Sequence, residues 1–143
     1  KAIWEIYYVA FVMAALWLFI TMYLGVSSYP EAFTKGDNHC TEDSAYWILR
    51  RVQTLGMVNY NKYAPVIRDT YDRFEAEMEQ RQREMEADYL ALYPTHPIAA
   101  QQLLQRFSDK LLTDVLQVSK DLLDDLFTRL TLDVQAEYRF AGA

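Results

Sequence analysis

Two residues with the chemistry of a nucleophile and a base stand side by side in this sequence, His39 and Cys40. A thiolate attacks a carbonyl carbon after a base such as imidazole has taken the thiol proton. Adjacent residues rarely place the two groups for that transfer, and no third orienting residue is evident. A metal site would need two further ligands, and His96 is the one other histidine. We therefore interpret His39 and Cys40 as structural or solvent-facing, and His96 as a turn residue.

The other chemically rich clusters are interpreted without assigning catalysis. Solvated helix faces are predicted for the acidic run 75–88, which Arg73, Arg81 and Arg83 interrupt, and for Asp121, Asp124 and Asp125. Core packing is predicted for Met57, Met78 and Met85. No phosphate loop, serine elbow or zinc spacing is present. We therefore predict no catalytic residue, no metal ligand and no cofactor within the chain, and leave the substrate-binding residues unassigned.

Length, composition and charge restrict the class of protein. The 143 residues suit one domain, and four glycines and four prolines favour few, long elements. The net charge of −6 excludes nucleic acid as a partner. The single cysteine excludes an internal disulfide and leaves the compartment open, with the cytoplasm favoured over secretion or membrane association. Because the chain begins at Lys1, we expect a processed product, a portion of something longer or a truncated form.

The N-terminal segments must position any such chemistry. Residues 6–24 carry no charge, and their pattern fits either a membrane or wholly buried helix or two buried strands. Residues 25–43 are predicted to be a long loop, with Asp43 or Ser44 capping the helix that follows. We expect residues 1–43 to supply apolar core strands and this loop, and residues 44–143 to form a helical region.

Three helices are predicted in that region, over residues 46–60, from Pro65 to about residue 92, and over residues 97–136. Pro65 is placed at the first helical position because proline loses no hydrogen bond there. Apolar stripes and a short connection predict that the second and third helices form an antiparallel pair. The stripes comprise Ile67, Tyr71, Phe74, Met78, Met85, Tyr89 and Leu92, and then Leu104, Phe107, Leu111, Val115, Val118, Leu122, Leu126 and Leu130.

An ordered series of motifs runs through residues 22–75: Tyr23 and Gly25 in a Y-x-G, the turn PEA at 30–32, the helix start DSAYW at 43–47, and a run rich in tyrosine and asparagine at 59–63. A Glu-rich helix, a turn with proline and a final long helix follow. The series resembles the C-terminal part of dipeptidase A-type cysteine peptidases. That family belongs to the N-terminal-nucleophile hydrolases, in which the α-amino group of the N-terminal cysteine serves as the base.

The resemblance implies a fold class and a function. The expected class is α+β, the C-terminal part of an αββα sandwich that is mostly helical here; the alternative is all-α with one membrane-spanning helix. The implied function is hydrolysis of dipeptides, with the nucleophile outside this chain because Cys40 lies in the wrong region. Residues 23–38 would then line the substrate entrance, and the partners would be the rest of the enzyme or a companion chain in a homo-oligomer.

Two readings without catalysis also stay open. One is a single-pass membrane-anchored protein that works by interaction through its helical domain. The other is a helical bundle that oligomerises through the stripe from Ile67 to Leu92.

Overall fold

The computed structural model describes residues 30–36 and 38–137. A short 3-10 helix, Glu31–Phe33, is followed by three α-helices: α1 at Ala45–Val58, α2 at Tyr60–Leu92 and α3 at Pro97–Glu137. The described part is 85% helical and contains no strand. The expected α+β sandwich is therefore wrong. The apolar residues repeat every three or four positions and are buried by helix packing on helix, so this part of the chain offers no alternating face for a sheet.

The segment 6–24, for which a membrane helix and buried strands were both considered, lies outside the described residues. The alternative fold class also required a membrane-spanning helix. Among the helices that the structure describes, none is both long enough and apolar enough to cross a bilayer.

The break between α1 and α2 falls at Asn59, so the prediction that the second helix begins at Pro65 is wrong. Asn59 has φ −145° and ψ 85°, outside the helical region. Its carbonyl oxygen accepts the backbone N–H of Tyr63 at 2.9 Å, which starts α2 five residues earlier than predicted. Pro65 consequently lies inside α2, where it has no backbone N–H to donate to the preceding turn. Tyr63 and Tyr71, on either side of the proline, are both buried.

The antiparallel pairing of α2 and α3 is confirmed by three side-chain contacts between the helices. The number of residues that separates the two partners falls from one contact to the next. Tyr63 bonds to Asp133, Tyr71 to Ser119 and Arg81 to Asp114. As residue numbers rise on α2 they fall on α3, as in a hairpin of two helices. The seam between them buries most of the two predicted stripes, including Phe74, Met78, Leu111, Val115, Leu122 and Leu126.

Helix α1 closes one side of this hairpin and packs on both long helices. Its buried residues Ala45, Ile48 and Val52 join the same core as Leu123 and Leu126 of α3. Gly56 is also buried, and a Cβ placed there would lie 2.8 Å from Cδ1 of Ile67 on α2. The close approach of α1 to α2 therefore depends on the missing side chain at position 56.

Candidate functional site

The loop before α1 is closed by contacts of Lys35. Its ammonium lies 2.9 Å from Oδ2 of Asp43 and 3.1 Å from Oε1 of Glu31. The hydrogen bond from Lys35 lowers the pKa of Asp43, and the same bond raises the pKa of Lys35. The Ser44 hydroxyl donates to the Lys35 carbonyl at 2.9 Å. These contacts hold the two ends of residues 35–43 together at the start of α1.

Ser44 occupies the N-cap position of α1 but makes no side-chain capping hydrogen bond there. Ser44, one of the two predicted candidates, is therefore the N-cap residue, but its side chain does not make the predicted capping bond. The loop carbonyl of Lys35 competes for the Ser44 hydroxyl and wins, because Ser44 is buried and the carbonyl lies within reach.

His39 and Cys40 lie in this closed loop, and both are exposed. No hydrogen bond between imidazole and thiol occurs, and no third side chain of the described residues orients the imidazole in a catalytic array. Of the predicted entrance at residues 23–38, the structure describes 30–36 and residue 38, which form the 3-10 helix and the first half of the loop. His96 directly precedes α3, and its ring Nδ1 lies 2.9 Å from the Thr95 hydroxyl, as befits a turn residue.

Asp121, Asp124 and Asp125 on α3 are exposed, and so are the acidic residues of the run 75–88 on α2 apart from the half-buried Glu75. Arg81 pairs with Glu77, and Arg129 pairs with Asp125 at 2.8 Å, in both cases across one turn of a helix. Within the described residues no group of three or more His, Cys, Asp or Glu side chains could hold a metal ion. Core packing is confirmed for Met78 and Met85, which are buried. It is wrong for Met57, near the end of α1, which is 44% exposed.

Arg51 on α1 is the side chain in this region whose surroundings are least typical of a structural role. Its Nε is buried and has no hydrogen-bond partner among the described residues. Helix α1 contains no Asp or Glu, and the positions one turn away on either side are Trp47 and Leu55. Arg50, the next cation along the helix, is exposed and bonds to Gln53 at 2.8 Å. Arg51 is thus a partly buried cation without an anion among the described residues.

Two polar contacts connect α2 and α3, one near the start of α2 and one within the seam. Near the start of α2, Tyr63 donates to Oδ2 of Asp133 at 2.7 Å while Lys62 pairs with Oδ1 of the same carboxylate. The hydrogen bond from Lys62 lowers the pKa of Asp133, whereas burial and the bond to Asp133 raise the pKa of Tyr63. Farther along, the hydroxyls of Tyr71 and Ser119 meet inside the seam. Both contacts hold the scaffold, and neither lies beside a nucleophile.

Sequence reasoning missed Arg51 and these contacts. A signal for Arg51 was present, since it is an arginine in an apolar run with no acid within a turn. The pairing of Tyr63 with Asp133 carried no such signal, because the two residues are separated by seventy positions in the chain.

Comparison with known proteins supplies the family. The model of peptidase family C69 matches residues 1–73, which include the closed loop, α1 and the first part of α2. The match covers half of the chain, and the chain therefore belongs to peptidase family C69, a family of hydrolases that cleave peptide bonds. No curated protein matches the chain, and no solved structure does.

Proposed function

We propose that this chain forms the C-terminal part of a cysteine dipeptidase whose nucleophilic cysteine lies outside these residues. The observation that carries the proposal is the family match over residues 1–73, in the same region as the ordered motifs from Tyr23 to Tyr63.

The surroundings of Cys40 support a nucleophile located elsewhere. An activated thiol needs a base within hydrogen-bond reach or a cationic environment that favours the thiolate. Cys40 is exposed, and its nitrogen is part of the peptide bond to His39, so it has no free α-amino group. The nearby cation, Lys35, is engaged by Glu31 and Asp43. We assign Cys40 no part in the reaction.

The described helices suit a supporting layer. The hairpin of α2 and α3 and the overlying α1 share one apolar core, and their exposed faces carry several ion pairs across single helical turns. Such a layer holds its loops rigidly for a site built by other parts of the enzyme.

The substrate class that we propose is dipeptides of varied side chains.

We propose that the rest of the enzyme or a companion chain completes this site, and that the complete enzyme is a homo-oligomer. Large apolar side chains remain exposed near the turn between the long helices, namely Leu90, Tyr93 and Ile98. Contiguous exposed apolar groups are a common property of contact surfaces. Sedimentation velocity of the purified enzyme at several concentrations would detect the assembly; a monomer at all concentrations contradicts it.

The dipeptidase proposal is tested on the natural protein that contains this chain, purified through an affinity tag. Hydrolysis of several unprotected dipeptides is followed by release of free amino acids, before and after treatment with iodoacetamide. Mass spectrometry then maps which cysteine is alkylated as activity falls. We expect dipeptide hydrolysis, and we expect its loss to follow alkylation of a cysteine other than Cys40.

Two outcomes contradict the proposal. If no dipeptide is hydrolysed, the assigned activity is wrong. If activity persists after every cysteine has been alkylated, the enzyme does not use a cysteine nucleophile. A serine peptidase inhibitor serves as the control, since it should leave the rate unchanged.

A further inference from the structure

We propose that Arg51 binds the free α-carboxylate of the dipeptide substrate. The inference rests on the proposed dipeptidase function and adds a residue and a substrate group to it. The guanidinium of Arg51 has a buried Nε without a hydrogen-bond partner among the described residues. A buried charged donor without a partner costs at least as much free energy as a lost hydrogen bond. An anion that bound the guanidinium would supply that missing hydrogen bond.

The other cations of the family-matched part do not share this state. Among the described residues, Lys35 pairs with Asp43, Lys62 pairs with Asp133, and Arg73 bonds to the carbonyl of Asp69. Arg68 and Arg50 are exposed, and water satisfies an exposed guanidinium. Arg51 is left as the partly buried cation of this part of the chain for which no described residue provides an anion.

The neighbours of Arg51 on α1 favour a small anionic ligand. The positions three and four residues away are Trp47, Ile48, Thr54 and Leu55, none of which is charged. A carboxylate at the partly buried guanidinium gains a stronger electrostatic interaction than it would in water. The planar guanidinium also matches a carboxylate with two parallel hydrogen bonds, which fixes the orientation of the bound group.

The substrate chemistry points to the α-carboxylate. Dipeptides of varied side chains have in common two charged ends and one peptide bond. An enzyme that accepts varied side chains and still selects dipeptides must recognise those ends, and the carboxylate lies one residue beyond the bond that is cleaved. A single arginine placed to hold that group selects a free C-terminus and limits the part released from that end to one residue.

The test compares dipeptides with the corresponding dipeptide amides, which lack the negative charge. In the complete enzyme Arg51→Gln should lower kcat/KM for free dipeptides about thirtyfold or more, mainly through KM, because it removes one partner of a charge-assisted pair. The rate with the amides should change by less than about twofold. Arg50→Gln, which removes the same charge from the exposed neighbouring position, should leave both rates near those of the unmodified enzyme.

A binding measurement supports the kinetic one without catalysis. A dipeptide analogue with a reduced peptide bond and a free carboxylate should raise the melting temperature of the unmodified enzyme and of Arg50→Gln, and should not raise that of Arg51→Gln. Arg51→Lys keeps the charge but loses the two-point geometry, so it should retain part of the effect. If Arg51→Gln fails to fold, Arg51→Lys alone decides: equal losses on dipeptides and amides overturn the inference.

The outcomes separate this inference from the proposed function. If the unmodified enzyme hydrolyses no dipeptide, the function itself has failed. If it does, and Arg51→Gln lowers the rates for dipeptides and amides alike while destabilising the protein, Arg51 pairs with an acidic side chain of the enzyme and the inference is wrong. If Arg51→Gln affects neither substrate, Arg51 binds no substrate group.

Discussion

The hydroxyl groups of Tyr71 on α2 and Ser119 on α3 lie 2.8 Å apart inside the seam between the two long helices. Ser119 also donates toward the carbonyl of Val115 at 2.7 Å, so the two hydroxyls and this carbonyl form a short chain. Burial raises the pKa of Tyr71, so the phenol remains protonated and donates to Ser119, whose own proton goes to the Val115 carbonyl. The contact therefore fixes the register of the hairpin through a polar link in an apolar seam.

Two Ser→Ala changes on α3 should have opposite effects, although both serines are 0% exposed. Ser119→Ala removes the partner of Tyr71 and should lower the free energy of unfolding by about 1–2 kcal/mol. The hydroxyl of Ser108 has no hydrogen-bond partner in the part of the chain that the structure describes, so Ser108→Ala should leave stability unchanged or raise it by up to about 1 kcal/mol. Urea unfolding followed by circular dichroism measures both. Equal losses in the two variants would show that the link to Tyr71 contributes nothing.

The pair of Asp133 with Lys62 and Tyr63 predicts a dependence of stability on pH. The pKa of Asp133 is lowered in the folded protein, so its ionised form stabilises the fold above the unfolded pKa of about 4. That contribution is lost as pH falls through the lower, folded pKa. Asp133→Asn should thus reduce the melting temperature by roughly 2–4 °C at pH 7, and the difference from the unmodified protein should shrink below about pH 4.

The control for this pH dependence is Asp124→Asn, an exposed aspartate on the same helix. Its melting curve should match that of the unmodified protein from pH 7 downward. A difference between Asp133→Asn and the unmodified protein that stays constant with pH would mean that the charge of Asp133 is not what stabilises the hairpin.

The close approach of Gly56 and Ile67 should appear as an energetic coupling. Gly56→Ala gains helix propensity of up to about 1 kcal/mol, but its Cβ would lie 2.8 Å from Cδ1 of Ile67. Ile67→Val removes that methyl group. We therefore expect Gly56→Ala to be more favourable by about 0.5–1 kcal/mol in the Ile67→Val background than in the unmodified protein, as measured by a double-mutant cycle. Strict additivity would place the two helices farther apart than described.

The junction between core and surface on α3 can be tested with neighbouring residues. Leu126 is 0% exposed, whereas Phe127 is 63% exposed. Leu126→Ala should lower the free energy of unfolding by about 2–5 kcal/mol, because it leaves a cavity among α1, α2 and α3. Phe127→Ala should cost less than about 0.5 kcal/mol in the same urea experiment. A larger loss from Phe127→Ala than from Leu126→Ala would require α3 to be rotated.

The helical hairpin was predictable because its signal is local. Stripes at intervals of three and four residues specify which side of α2 and α3 is buried, and the short turn before Pro97 specifies their antiparallel order. The start of α2 was not predictable in the same way. Proline is common at the first helical position, but the non-helical backbone at Asn59 starts this helix before Pro65. The sandwich expected from the family resemblance failed for a similar reason: a resemblance carries the architecture of a whole family, whereas the described residues follow their own helical period.

Within the candidate site, only the exposure of particular side chains was predictable. The exposed His39 and Cys40, and the solvated acidic faces, follow from spacing and from neighbouring charges. The burial of Arg51 was not predicted, because it depends on how α1 packs against the other helices and not on residue spacing along the sequence. The partners of Tyr63 and Tyr71 on α3 likewise depend on tertiary register.

The most direct test of the central claim is the activity of Cys40→Ser in the complete enzyme. Because Cys40 is exposed and takes no part in the proposed reaction, kcat/KM for an unprotected dipeptide should stay within about twofold of the unmodified value, and iodoacetamide should still abolish it. Loss of hydrolysis in a variant that keeps its circular dichroism spectrum and melting temperature would make Cys40 the nucleophile and contradict the claim that the reaction is carried out by a cysteine outside this chain.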